Sequence, residues 1–214
     1  MKNLVKSALS MLAAVGLSHN ANAILTFDLN TALDFSGDQP DGNVIVSFES
    51  QDADTVRLTI TSGLVSPENM AALYLNLNSS YDPASLSFSQ VSTSGSFTNP
   101  DITTGTNGFK ADGDGFYDIL FDFAPPGTRF DNADSVVYDI TRLAGLVEAD
   151  FNYLSAPGGG HGPFFAAAHI QNTDGPEGSG WIRPNGNAVP DTGSTVMLLG
   201  GALSALGMIR RRVS

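Results

Sequence analysis

Thr55-Val56-Arg57-Leu58-Thr59-Ile60-Thr61 alternates without a break, with Val56, Leu58 and Ile60 on one side and Thr55, Arg57, Thr59 and Thr61 on the other. Successive side chains of a β-strand point to opposite faces, so this pattern buries one face of a sheet and leaves the other wet. The same period continues in both directions. Upstream, Val44, Val46 and Phe48 alternate with Ile45, Ser47 and Glu49, and 24–30 is a further candidate. Downstream, strands are predicted over 72–78, 85–91, 116–123, 135–142, 147–153 and 164–171. Within 116–123, Ile119, Phe121 and Phe123 are expected inside, with Asp118 and Asp122 in water. Within 135–142, Val136, Tyr138 and Ile140 oppose Asp139 and Thr141 in the same way.

Turn-forming clusters separate these runs, among them Gly37-Asp38-Gln39-Pro40-Asp41-Gly42 and Ala124-Pro125-Pro126-Gly127. A short helical turn is expected from Ser66, with Pro67 at its first position. Many short strands at such spacing predict an all-β fold, an antiparallel β-sandwich or jelly roll. Composition agrees. Of the 22 acidic residues in this 214-residue chain 18 are Asp, with 23 Gly, and Asp and Gly favour turns over helices. There is no cysteine, which excludes a disulfide framework and thiolate zinc sites. The net charge of −12 argues against a nucleic-acid surface, which needs clustered Lys and Arg.

That charge is an average over unlike segments. Lys2 and Lys6 precede an apolar run at 8–17, and Ala21-Asn22-Ala23 closes the segment. Small residues two apart suit a signal peptidase, so residues 1–23 read as a secretory signal helix cut after Ala23. At the other end, Val189-Pro190-Asp191-Thr192-Gly193 precedes an apolar stretch over 196–209 and then Arg210-Arg211-Arg212. Fourteen residues of helix span about 21 Å, so the stretch is a marginal transmembrane helix, completed by Ser194 and Thr195 and by arginines that snorkel outward. The arginines orient it, leaving the body outside and the C-terminus in the cytoplasm. Between the two ends, residues 24–189 hold 21 acids against 5 bases, a net −16. The exported part is thus more acidic than the whole chain.

Motif, apolar helix and basic cluster together resemble a sorting tail of the PEP-CTERM class, closest to its VPDSG-CTERM variant, with Thr192 where that variant usually has Ser. The resemblance implies processing by an exosortase, a membrane-embedded enzyme, and delivery to the surface or the extracellular matrix. It says nothing of the body domain. Pro190-Asp191-Thr192-Gly193 also resembles part of a sortase signal, from which Val189 departs. The expected organisation is a signal peptide at 1–23, a β-domain at 24–171, a polar Gly/Pro/Asn spacer at 172–188 and a sorting signal at 189–214. Within the spacer, Trp181-Ile182 is an apolar pair able to dock back on the domain.

Chemistry is less legible. Asp112, Asp114 and Asp118 lie in or beside a glycine-rich loop and suit Ca²⁺, which takes six to eight oxygens; the other reading is a tight Asp-Gly turn. An EF-hand is excluded, because its twelfth position would be Phe123. His161 and His169 lack a metal-ligand spacing. No Gly-x-Ser-x-Gly elbow is present. The lone Trp181 is a candidate sugar-stacking residue, whereas the five tyrosines mostly fall on strands, where core filling is expected. The sequence therefore predicts a non-enzymatic, exported surface or matrix protein. Its expected partners are signal peptidase, an exosortase-type enzyme, the membrane through the C-terminal helix, and extracellular polysaccharide. The alternative is a carbohydrate-binding or Ca²⁺-dependent adhesive module; a glycan hydrolase has least support.

Overall fold

A computed structural model describes residues 23–33, 39–111, 115–123, 128–158, 162–173, 178–186 and 189–190. The strands are β1 (Ile24–Ala32), β2 (Val44–Ser50), β3 (Thr55–Ser62), β4 (Asn69–Leu75), β5 (Ser87–Ser94) and β6 (Asp101–Ala111). They continue with β7 (Gly115–Asp122), β8 (Ser135–Thr141), β9 (Ala166–Gln171), β10 (Ser179–Pro184) and β11 (Val189–Pro190). All pairings are antiparallel, and one continuous sheet runs β5-β8-β3-β2-β1-β10-β9-β4-β7-β6, with β11 beside β1.

The sheet curls on itself. Phe88 of β5 and Tyr138 of β8 both meet Phe121 of β7, at ring-centroid distances of 5.8 and 5.6 Å. The two ends of the strand order therefore face one another as the layers of a sandwich. Between them lies the core that the alternation predicts. Val56, Leu58 and Ile60 are fully buried, as are Val44, Val46 and Phe48. Phe48 stacks on Phe151 at 4.3 Å, and Phe27 on Phe165 at 5.8 Å. Each such aromatic contributes about 1.5–3 kcal/mol through burial.

Buried carboxylates hold the turns. Glu68 accepts hydrogen bonds from the backbone N–H groups of Asp41, Gly42 and Val65, at 2.6, 3.2 and 3.0 Å. Asp134 accepts from Ser96 and Asp131 at 3.1 and 2.9 Å, and Asp150 from Val147 at 3.0 Å. Hydrogen bonds to ionised acceptors are worth about 1.5–3 kcal/mol each. In a chain without disulfides, part of its acidity thus fastens loops to the sheet.

Several expectations are corrected. The 147–153 run is not a strand but contains a 3₁₀ turn over Glu148–Phe151, because the Asp150 carboxylate caps the Val147 N–H. Residues 66–67 form a turn, closed by the Glu68 N–H on the Val65 carbonyl at 2.8 Å, rather than the start of a helix. β6 was not expected at all. Inside the expected 172–188 spacer lies β10, an interior strand paired on both sides, so the folded domain runs past Gln171. Among the described residues no helix is long and apolar enough to cross a membrane; the 1–22 and 196–209 segments lie outside them.

Candidate functional site

A polar groove of about 380 Å³ opens on the face of the β4-β9-β10 layer turned away from the core. Its floor follows from strand register. Asn69 of β4 stands opposite Gln171 of β9, and Gln171 stands opposite Ser179 of β10. Directly opposed residues share a face, so these three side chains make one row. The neighbouring row is Ala72, His169 and Trp181. A bulge between Met70 and Ala72 brings both rows to the same face, because it inserts one extra residue and resets the alternation. Met70 and Ile170 meanwhile stay wholly buried in the core. Arg129 completes one wall, positioned by Phe130, which bridges to Met70. Asn172 and Gly178 close the end of the β9–β10 hairpin, where the Asn172 N–H donates to the Gly178 carbonyl at 2.7 Å. Asn172 has φ of 62°, a left-handed conformation that Asn tolerates better than most residues.

The groove holds unspent hydrogen-bonding capacity. Asn69 is 4% exposed, yet its Oδ1 has no partner, and the Nη1 of Arg129 is buried without one. A buried polar atom left unpaired costs about 1–3 kcal/mol. The described lining comprises three amides, a hydroxyl, an imidazole and a guanidinium, with no carboxylate. Beside it runs an aromatic series, His169 stacked on Trp181 at 4.7 Å and Trp181 against Tyr74 at 5.4 Å. Tyr74, Trp181 and Phe164 pack on a second buried cluster of Leu33, Ala111, Tyr117 and Ala167. Burial, and then the charge of Asp122, push the Tyr74 phenol above its ordinary pKa.

The residues predicted from sequence are scattered. Asp118 is 9% exposed rather than in water, and its two oxygens accept from the backbone N–H groups of Leu77 and Asn107 at 3.0 and 2.8 Å. Asp112, Asp114 and His161 lie outside the described residues, among which no three His, Cys, Asp or Glu side chains converge. Of the sorting motif, Val189 and Pro190 form β11, with Pro190 opposite Leu25 and Val189 opposite Thr26 of β1. Ala23 stands directly before β1, while Ala21, Asp191, Thr192, Gly193 and Arg210–Arg212 lie outside the described residues. Sequence reasoning singled out Trp181 and His169 separately and missed Asn69, Arg129, Gln171, Asn172 and Ser179. No one-dimensional signal joins these, since 102 residues of chain separate Asn69 from Gln171.

No curated protein and no solved structure matches the chain. Residues 188–213 match a family model described as the VPDSG-CTERM motif. A motif of this class implies a processing enzyme of the exosortase type, so the tail reads as the C-terminal sorting signal of an exported protein bound for the cell surface.

Proposed function

We propose that this chain is a non-catalytic β-sandwich protein, delivered to the cell surface or extracellular matrix, where its domain acts by binding. The sorting motif at 188–213 is the observation that carries the reading. Signal peptidase removes residues 1–23, the apolar 196–209 segment tethers the chain in the inner membrane, and Arg210–Arg212 hold its end on the cytoplasmic side. An exosortase-type enzyme then processes the motif and releases the domain from that tether.

The fold supports this order of events. Because Pro190 lies opposite Leu25, the sorting motif begins beside the first strand after the signal-peptide cut. The start of the mature chain and the sorting motif thus lie together at the N-terminal end of β1. Processing enzymes take their substrates as extended segments, and β11 is already extended. Among the described residues its pairing with β1 spans two residues, which separate for release.

Cell fractionation tests the proposal. The full chain is expected outside the inner membrane, whereas a chain lacking 188–214 is expected to lose that distribution. An identical distribution for both overturns it.

A further inference from the structure

We propose that the groove across β4, β9 and β10 binds an acidic saccharide unit, a sugar ring bearing a carboxylate. This deepens the surface-binding reading and rests on it only for its biological setting. Three observations carry it.

The first is the pair of unsatisfied atoms. Asn69 offers a buried acceptor and Arg129 a buried donor. A ligand that satisfies both must donate to one and accept from the other. A sugar hydroxyl donates to the amide oxygen, and a carboxylate oxygen accepts from the guanidinium, a charge-assisted bond about twice as strong as a neutral one. An anion without a hydrogen-bond donor, such as sulfate, leaves Asn69 unpaired. A cationic ligand is repelled by Arg129.

The second is local charge. Residues 24–189 carry a net −16, yet the described lining of this groove holds a guanidinium and no carboxylate. Among the described lining residues the guanidinium faces no competing carboxylate, so it can receive an anionic group on an otherwise acidic domain.

The third is rigidity and shape. The floor is the cross-strand row Asn69, Gln171 and Ser179, fixed by backbone pairing on three strands. Its volume of about 380 Å³ lies within the usual range of small-molecule sites. His169, backed by Trp181 at 4.7 Å, gives the C–H face of a sugar ring a flat surface.

The test uses the full chain purified in detergent, titrated with tri-galacturonate and with its neutral counterpart galactotriose. Trp181 is the sole tryptophan, and its contact with His169 makes intrinsic fluorescence a local reporter; calorimetry gives the affinity independently. Saturable binding of the acidic trimer is expected, at least tenfold tighter than the neutral one. Arg129→Gln should remove that preference, weakening the acidic trimer at least tenfold and the neutral one less than twofold. Asn69→Leu should weaken both. Circular dichroism and a urea midpoint establish that each variant is folded, and Arg129→Gln, at a loop position, carries the test if Asn69→Leu does not fold. Absence of saturable binding, equal affinity for the two trimers, or a folded Arg129→Gln that binds the acid as the parent does overturns the proposal. So does displacement of the trimer by equimolar sulfate, which would reduce the site to a simple anion hook. Binding is read on purified chain, so its failure leaves the sorting reading standing, and failed sorting leaves the binding result standing.

Discussion

In β2, β3 and β8 the face turned away from the core meets water, whereas in β4, β7, β9 and β10 the corresponding face carries a second buried cluster and the polar groove. The first half shows Arg57 bidentate to Asp139 at 2.9 and 3.0 Å, both partly exposed, amid Thr55, Thr59 and Thr61. The second half packs Tyr74, Phe164 and Trp181 against Tyr117 and Ala167. A strand with one solvated face needs only alternation. A strand loaded on both faces cannot show simple alternation, and β4 accordingly reads Asn-Met-Ala-Ala-Leu-Tyr-Leu with six of seven residues buried. The wet half is scaffold, and the doubly covered half is where a ligand site can be built and kept rigid.

Substitutions in the two halves should differ in cost accordingly. The largest effect is expected where the halves meet. Phe121→Ala removes a fully buried ring that touches Phe88 and Tyr138 across the layers, and should cost about 3–5 kcal/mol in urea denaturation. A loss below about 1 kcal/mol would mean that the layers do not share this core. Next comes Trp181→Ala, expected to cost about 2 kcal/mol because the half-buried indole leaves both Tyr74 and His169. A neutral result would erase the difference between the two outer faces.

An alkaline titration probes the shared core without a cavity. Burial pushes the Tyr138 phenol up to about 12. The folded state favours the protonated form, so this contribution is intact below the unfolded value near 10 and is lost as pH rises through 12. Stability should fall between those limits by up to about 1.4 kcal/mol per pH unit. Tyr138→Phe should show a shallower fall; an unchanged slope would place the phenol in water. The smallest effect belongs to the wet face, where Arg57→Ala should cost about 0.2–1 kcal/mol and less in high salt. A cost comparable to that of Trp181→Ala would contradict the contrast.

The same contrast explains what could be read from the chain. β2, β3 and β8 were legible because period two survives wherever one face is wet. β6 carries no apolar period because it is an edge strand, with Thr103, Thr106 and Asn107 exposed and Ile102 and Ala111 at its two ends reaching the buried clusters. β10 was hidden by Gly178-Ser179-Gly180, which reads as a linker until β1 and β9 flank it. The 147–153 run misled because Val147, Phe151 and Tyr153 suggest a strand, while Asp150 decides the matter through a local cap. Asp118 misled in the opposite sense, as a carboxylate expected outside that instead fastens two backbone segments. The groove was illegible for a further reason. Its floor exists only through pairing of β4, β9 and β10, and through a bulge that no residue pattern announces.

The mature chain termini show whether the acidic β-domain reaches the surface through its C-terminal tail. Intact-mass measurement should find the wild-type protein outside the inner membrane beginning at Ile24 and lacking its C-terminal tail. The double variant Pro190→Ala, Asp191→Ala should keep the chain through Ser214 and remain in the membrane fraction. The same mature C-terminus in both proteins would contradict the account.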